Sequence, residues 1–120
     1  MKTKKTTDSI IDLNELTSRF DNDQHFINEL IKEFVDDVER KLNRINMLLI
    51  EGKYDDIGMI VHSLKGSTSY LNIQFMWEAV CLLENAVKRN DIKMMNIYYA
   101  VIDDEHKKLS EYIKNTGVKN

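Results

Sequence analysis

Proline is absent from this chain, so nothing in its 120 residues forces a helix to break. Glycine is scarce: four residues stand isolated at positions 52, 58, 66 and 117, which excludes the Gly-rich phosphate loop of a nucleotide site. Cys81 is the only cysteine, so no internal disulfide can form, and a reducing compartment fits. No apolar run approaches the roughly 18 residues that span a bilayer. Lys2, Lys4 and Lys5 imitate the start of an export signal, but Thr6, Thr7, Asp8 and Ser9 follow where an apolar stretch should. An excess of one charge is also missing, with 17 basic against 20 acidic side chains and a formal net charge of -3. The lysines at the start read as a solvated tail, and no basic recognition helix is present, so neither nucleic acid nor membrane is an expected partner.

What is present describes an ordinary soluble globule, 42% hydrophobic and 31% charged. The length suits one domain with one core. We expect a single monomeric domain over residues 1–120, folded from about 8 to 114 with tails at 1–7 and 115–120, in the cytoplasm.

Apolar spacing marks five helical segments. Ile10, Leu13 and Leu16 start a short one after a cap at Asp8 or Ser9. After the turn-like Asp21-Asn22-Asp23, a stripe of Ile27, Leu30, Ile31, Phe34, Val38, Leu42, Ile45, Leu48 and Leu49 advances by threes and fours until Gly52 stops it. A third stripe runs Ile57, Ile60, Val61, Leu64, Thr68 and Leu71, and Asn72 can end it in a left-handed conformation. The fourth contains Phe75, Met76, Ala79, Val80, Leu83, Ala86 and Val87, ending near Asn90-Asp91. The fifth contains Ile92, Met95, Tyr98, Tyr99, Ile102, Leu109 and Ile113, before a polar tail from Asn115. No segment holds a period of two. The expectation is an all-α protein, an antiparallel four-helix bundle with a short additional N-terminal helix over one end.

Architecture alone says little about function. One segment, His62-Ser63-Leu64-Lys65-Gly66-Ser67-Thr68-Ser69, departs from helix filler. At about 100° per residue His62 lies roughly 140° from the centre of its core stripe, with Gly66 nearly opposite the core and Ser69 at about 120°. Lys65 is a neighbour on the flank nearer the core. A helical glycine costs roughly 1 kcal/mol relative to alanine. Either bulk was removed so that another surface can approach His62, or Gly66 marks a kink or a tight helix contact. A lone surface histidine is commonly only that; an ammonium and a glycine three and four residues on give it chemistry. Neutral imidazole is a nucleophile near physiological pH, and an ammonium can steady the charge of a phosphorylated ring.

His62-Ser63-Leu64-Lys65-Gly66-Ser67, followed by Leu71, resembles the H-x-L-K-G-S…L signature of histidine-containing phosphotransfer (HPt) domains. The likeness runs from about Ile10 to Ile113 and includes the Phe26–Phe34 region and the Leu83-Glu84 pair. It implies a four-helix bundle with a phosphoacceptor imidazole in mid-helix, phosphorylated at the nitrogen remote from the backbone and in exchange with receiver-domain aspartates. By position His62 would be the acceptor, Lys65 would steady the phosphate and Gly66 would keep the docking surface low. Glu84 matches a place where members carry a polar residue that orients the ring, although a solvated helix charge reads equally well. Where members commonly have Leu-Gly, this chain has Leu71-Asn72, which touches the adjoining loop. Asp55, Met59, Ser63, Gly66 and Ser69, falling near His62 on the same helix, are the expected docking residues, Met59 being also compatible with a stray surface methionine.

The resemblance implies a phosphocarrier and not an enzyme in its own right, with no cofactor of its own; magnesium would come with the receiver domains of response regulators or hybrid kinases. The methionine at position 1 fits a free-standing protein, and a domain cut from a hybrid kinase would look the same. The competing class is a helical interaction module that has lost phosphotransfer. A metal site built on His25, His62 and His106 is not expected. They are far apart, the Asp103–His106 pair is weak, and His106 lies along a core stripe.

Overall fold

The computed structural model describes residues 11–116. Five α-helices make up the described chain: α1 (Leu13–Arg19), α2 (Gln24–Glu51), α3 (Ile57–Tyr70), α4 (Gln74–Lys88) and α5 (Ile92–Thr116), with a 3-10 turn at Tyr54–Asp56 leading into α3. No strand occurs among the described residues. Helix α2 packs on α3, α3 on α4, α4 on α5 and α5 back on α2, closing a ring of four. The expected all-α bundle is what the chain forms.

Short polar signals set the helix ends. The Asp12 carboxylate accepts from the Glu15 N–H and the Asp23 carboxylate from the Phe26 N–H, each satisfying a first-turn donor that the helix leaves unpaired. Gly52 closes α2 at φ 74°. Asn72 (φ 57°) and Asn90 (φ 56°) make the turns after α3 and α4, and asparagine tolerates this left-handed geometry better than most side chains. The expected caps Asp8 and Ser9, with Ile10, lie outside the described residues; the described α1 is capped by Asp12.

The core is the inward stripe of each helix. Ile27, Ile31, Val38 and Ile45 of α2, Ile57, Val61 and Leu64 of α3, Val80 and Leu83 of α4, and Met95, Ile102 and Leu109 of α5 are all fully buried. Each large side chain so buried contributes about 1.5–3 kcal/mol. Thr68 sits in the same core with its hydroxyl donating to the Leu64 and Lys65 carbonyls, so its burial leaves no polar atom unmet. Two residues placed in the stripes face outward instead: Phe75, at the first turn of α4, is 49% exposed, and Ile92, opening α5, is 40% exposed. Each stands where a helix begins and has only one neighbouring turn to cover it. Helix α5 also continues through Asn115 to Thr116, past the expected boundary.

Unequal helix lengths shape the molecule. At 1.5 Å per residue α2 and α5 are about 42 and 38 Å long, whereas α3 and α4 are about 21 and 23 Å. Helix α1 packs on α2, burying Leu16 completely. The Phe20 ring meets Phe26 edge-on at 5.2 Å and lies 6.3 Å from Tyr70, and the Arg19 guanidinium covers Phe20 and Tyr70 at 5.1 and 5.5 Å. These contacts join the start of α2 to the end of α3 and leave the middle of α3 uncovered.

Candidate functional site

Helix α3 buries Ile57, Val61, Leu64 and Thr68, and that choice dictates what its other face shows. His62 is carried outward, its side chain 77% exposed. One turn on, Gly66 is exposed, and a Cβ added there would meet nothing within 4 Å. The other glycine of this helix behaves differently. A Cβ at Gly58 would touch Val87 of α4 at 3.8 Å, so Gly58 faces a helix contact and Gly66 faces open space. A close helix approach does not account for Gly66, and α3 runs as one helix from Ile57 to Tyr70.

Helix α4 supplies the third group. The short connection after α3 turns the chain back antiparallel, which sets Glu84 beside His62 and Lys65. Lys65 Nζ donates to Glu84 Oε1 at 3.1 Å, and His62 Nδ1 lies 3.4 Å from Glu84 Oε2, at the long end of hydrogen-bonding range. An ionised carboxylate can only accept, so Nδ1 is the nitrogen that carries the proton towards it. In the neutral ring the lone pair then resides on Nε2, the atom remote from the backbone.

Electrostatics reinforce this arrangement. The Lys65 hydrogen bond holds the Glu84 carboxyl below the usual carboxylate range, against the opposing effect of burial, with His62 and Lys88 adding to the depression. Glu84 in turn raises the Lys65 ammonium above its ordinary value, first through the hydrogen bond and then through charge. Glu84 is only 13% exposed and Lys65 39%. The carboxylate is thus the packed, fixed member and the lysine the reachable one. The site therefore offers a nucleophilic nitrogen in open solvent, a paired ammonium one turn away and a patch free of side-chain bulk.

The other residues expected at this surface are distributed as follows. Met59 is 84% exposed. Ser63 and Ser69 are exposed on α3, and the Ser67 hydroxyl donates to the Ser63 carbonyl. Asp55 is exposed but belongs to the 3-10 turn before α3 and not to the helix itself, because Lys53 to Asp56 form that tighter turn. Sequence reading passed over Trp77, which borders a hollow with Ser69, Asn72 and Gln74 at the turn between α3 and α4. Its spacing of seven from Glu84 on α4 was the available signal, since both then fall on the flank that faces α3.

The remaining histidines lie elsewhere. His25 is exposed in the first turn of α2. His106 is 6% exposed, and its Nε2–H donates to the Val35 carbonyl of α2 at 2.9 Å, the packed position its stripe suggested. No group of three or more His, Cys, Asp or Glu side chains able to hold a metal ion occurs among the described residues. No described helix is long and apolar enough to cross a membrane.

Among protein families, the model of the Hpt domain matches residues 29–112, well over half of the chain and inclusive of His62, Lys65 and Glu84. No curated protein and no solved structure matches.

Proposed function

Because the chain belongs to the Hpt domain family, whose members are phosphocarriers of two-component signalling that interact with receiver domains, we propose that His62 is its phosphoacceptor and exchanges a phosphoryl group with receiver aspartates. The observation that carries this reading is the exposed His62 ring with its Nδ1 turned to Glu84. On accepting, the Nε2 lone pair attacks phosphorus, the bond from phosphorus to the aspartyl oxygen breaks, and its electron pair stays on the receiver carboxylate. Donation is the same path reversed. Nδ1 keeps its proton throughout, so no other base is required.

Catalysis in such a transfer is mostly positioning and charge stabilisation. Lys65 steadies the phosphoryl oxygens, Glu84 orients the ring, and Gly66 with Ser63, Ser69, Met59 and Asp55 forms the ground on which a receiver lands. The receiver brings the magnesium, for which its carboxylates are suited. The protein acts as a monomeric carrier in the cytoplasm, with no nucleotide-dependent kinase activity of its own.

The test is to mix the protein with a phosphorylated receiver domain and follow acid-labile label. Label on the wild type, lost in His62→Gln with an unchanged helical spectrum, is the expected result. Label retained by His62→Gln, or none on the wild type across a panel of receivers, refutes the reading and leaves a helical interaction module.

A further inference from the structure

One carboxylate serves two donors at this site, and both come from the same face of α3, one turn apart. We propose that Glu84 is a displaceable counter-anion for Lys65: it holds the ammonium while His62 is bare and releases it to the phosphoryl group once Nε2 is phosphorylated. The inference rests on the phosphoacceptor reading of His62 and adds an exchange of partners within that site.

Three features lead there. First, in the bare protein the Lys65 charge is already paired with the Glu84 carboxylate at 3.1 Å, so the ammonium nearest His62 has a counter-anion before any phosphoryl group arrives. Second, the two partners differ in freedom: Glu84 is 13% exposed, whereas Lys65 is 39% exposed on a flexible four-carbon stem, so the lysine is the one that can swing. Third, a phosphoryl group carries about -1.5 to -2 charge and three acceptor oxygens, against the single charge of a carboxylate. Placed on Nε2 of the exposed ring, it outcompetes Glu84 for the ammonium.

Glu84 is not stranded by the exchange. Its second oxygen keeps the Nδ1–H of His62, and Lys88, four residues on along α4, still lends it favourable charge. The device makes the stabilising cation available only after covalent transfer. It also explains why a carboxylate beside a phosphate-bearing ring is tolerable: the acid that orients the ring has a cation to give up.

The test uses phosphoramidate, a small phosphoryl donor that needs no receiver, on a His25→Gln background in which His62 is the only exposed histidine. The side-chain carboxylate signal of Glu84 is followed by carbon NMR at neutral pH, in wild type and in Lys65→Met, before and after phosphorylation. Lys65→Gln serves as a second variant should the methionine perturb the helical spectrum. The expected result is that phosphorylation moves the wild-type Glu84 signal towards its position in bare Lys65→Met, and moves the Lys65→Met signal much less. An equal displacement in both proteins, or none in wild type, overturns the proposal while leaving the receiver-transfer assay to stand or fall by itself. Where phosphoramidate leaves His62 bare, a phosphorylated receiver domain serves as the donor, and failure with both donors removes both readings.

Discussion

Gly66 stands one turn beyond His62 on the same exposed face, and a Cβ there would touch nothing in the protein. Since the fold gains nothing from the missing Cβ, the residue carries a helix-propensity cost with no structural return. Gly66→Ala is therefore expected to stabilise the protein by about 0.5–1 kcal/mol. Gly66→Arg should fold equally well and yet slow transfer from a phosphorylated receiver by about tenfold or more, because it holds the reacting atoms apart. Chemical unfolding and a transfer time course on the same samples check both halves.

The two histidines on α3 and α5 make a contrasting pair. His62 is exposed, so His62→Gln should alter stability by no more than about 0.5 kcal/mol while abolishing phosphoryl acceptance. His106 is buried, with Nε2–H on the Val35 carbonyl, and tethers α5 to α2. His106→Ala loses that bond and opens a cavity, for an expected cost of about 1–3 kcal/mol. Thermal unfolding should therefore separate the variants in the opposite order to the transfer assay, with His106→Ala still accepting label below its melting temperature.

Much of this was legible because periodicity is a local property. The threes and fours from Ile27 to Leu49, the stop at Gly52 and the left-handed Asn72 need only neighbouring residues to be read, and the structure has them as expected. The outward direction of His62 follows from the same arithmetic applied to Leu64 and Thr68. What the sequence hid depends on distance in the chain. Lys65 and Glu84 are 19 residues apart, and their ion pair exists only because of the register between α3 and α4. Phe75 has the right spacing for the core but sits in the opening turn of α4, where burial depends on the neighbouring connection. The 3-10 turn that removes Asp55 from α3 carries no apolar pattern to betray it.

Asn72 tests the turn between those two helices. Its φ is 57°, and its N–H donates to the Ser69 carbonyl at 3.1 Å. Glycine adopts this conformation without a Cβ penalty, so Asn72→Gly should be neutral or stabilising by less than about 1 kcal/mol. A β-branched side chain cannot, and Asn72→Val should cost about 1–2 kcal/mol. Because Asn72 also borders the hollow with Ser69 and Trp77, the glycine variant is expected to change the ranking of receivers in a transfer panel more than it changes stability.

The Glu84–Lys65 pair predicts a pH dependence with a definite sign. Glu84 has its carboxyl lowered below an ordinary value of 4.5, chiefly by the Lys65 hydrogen bond. A group depressed on folding contributes stability that is fully present above the unfolded value and is lost as pH falls through the folded one. Lys65 is raised above 10.5, so its share is present below that value and disappears only as pH climbs through the folded midpoint. The pair is thus intact across the neutral range. Glu84→Gln should be less stable than wild type at pH 7, and the difference should close on acidification below about 4.5, where the wild-type carboxylate takes up its proton. Denaturant midpoints of the two proteins, measured from pH 7 down to pH 3, decide the matter. A gap that stays constant through the acid limb would mean that the ionisation of Glu84 contributes nothing to holding Lys65.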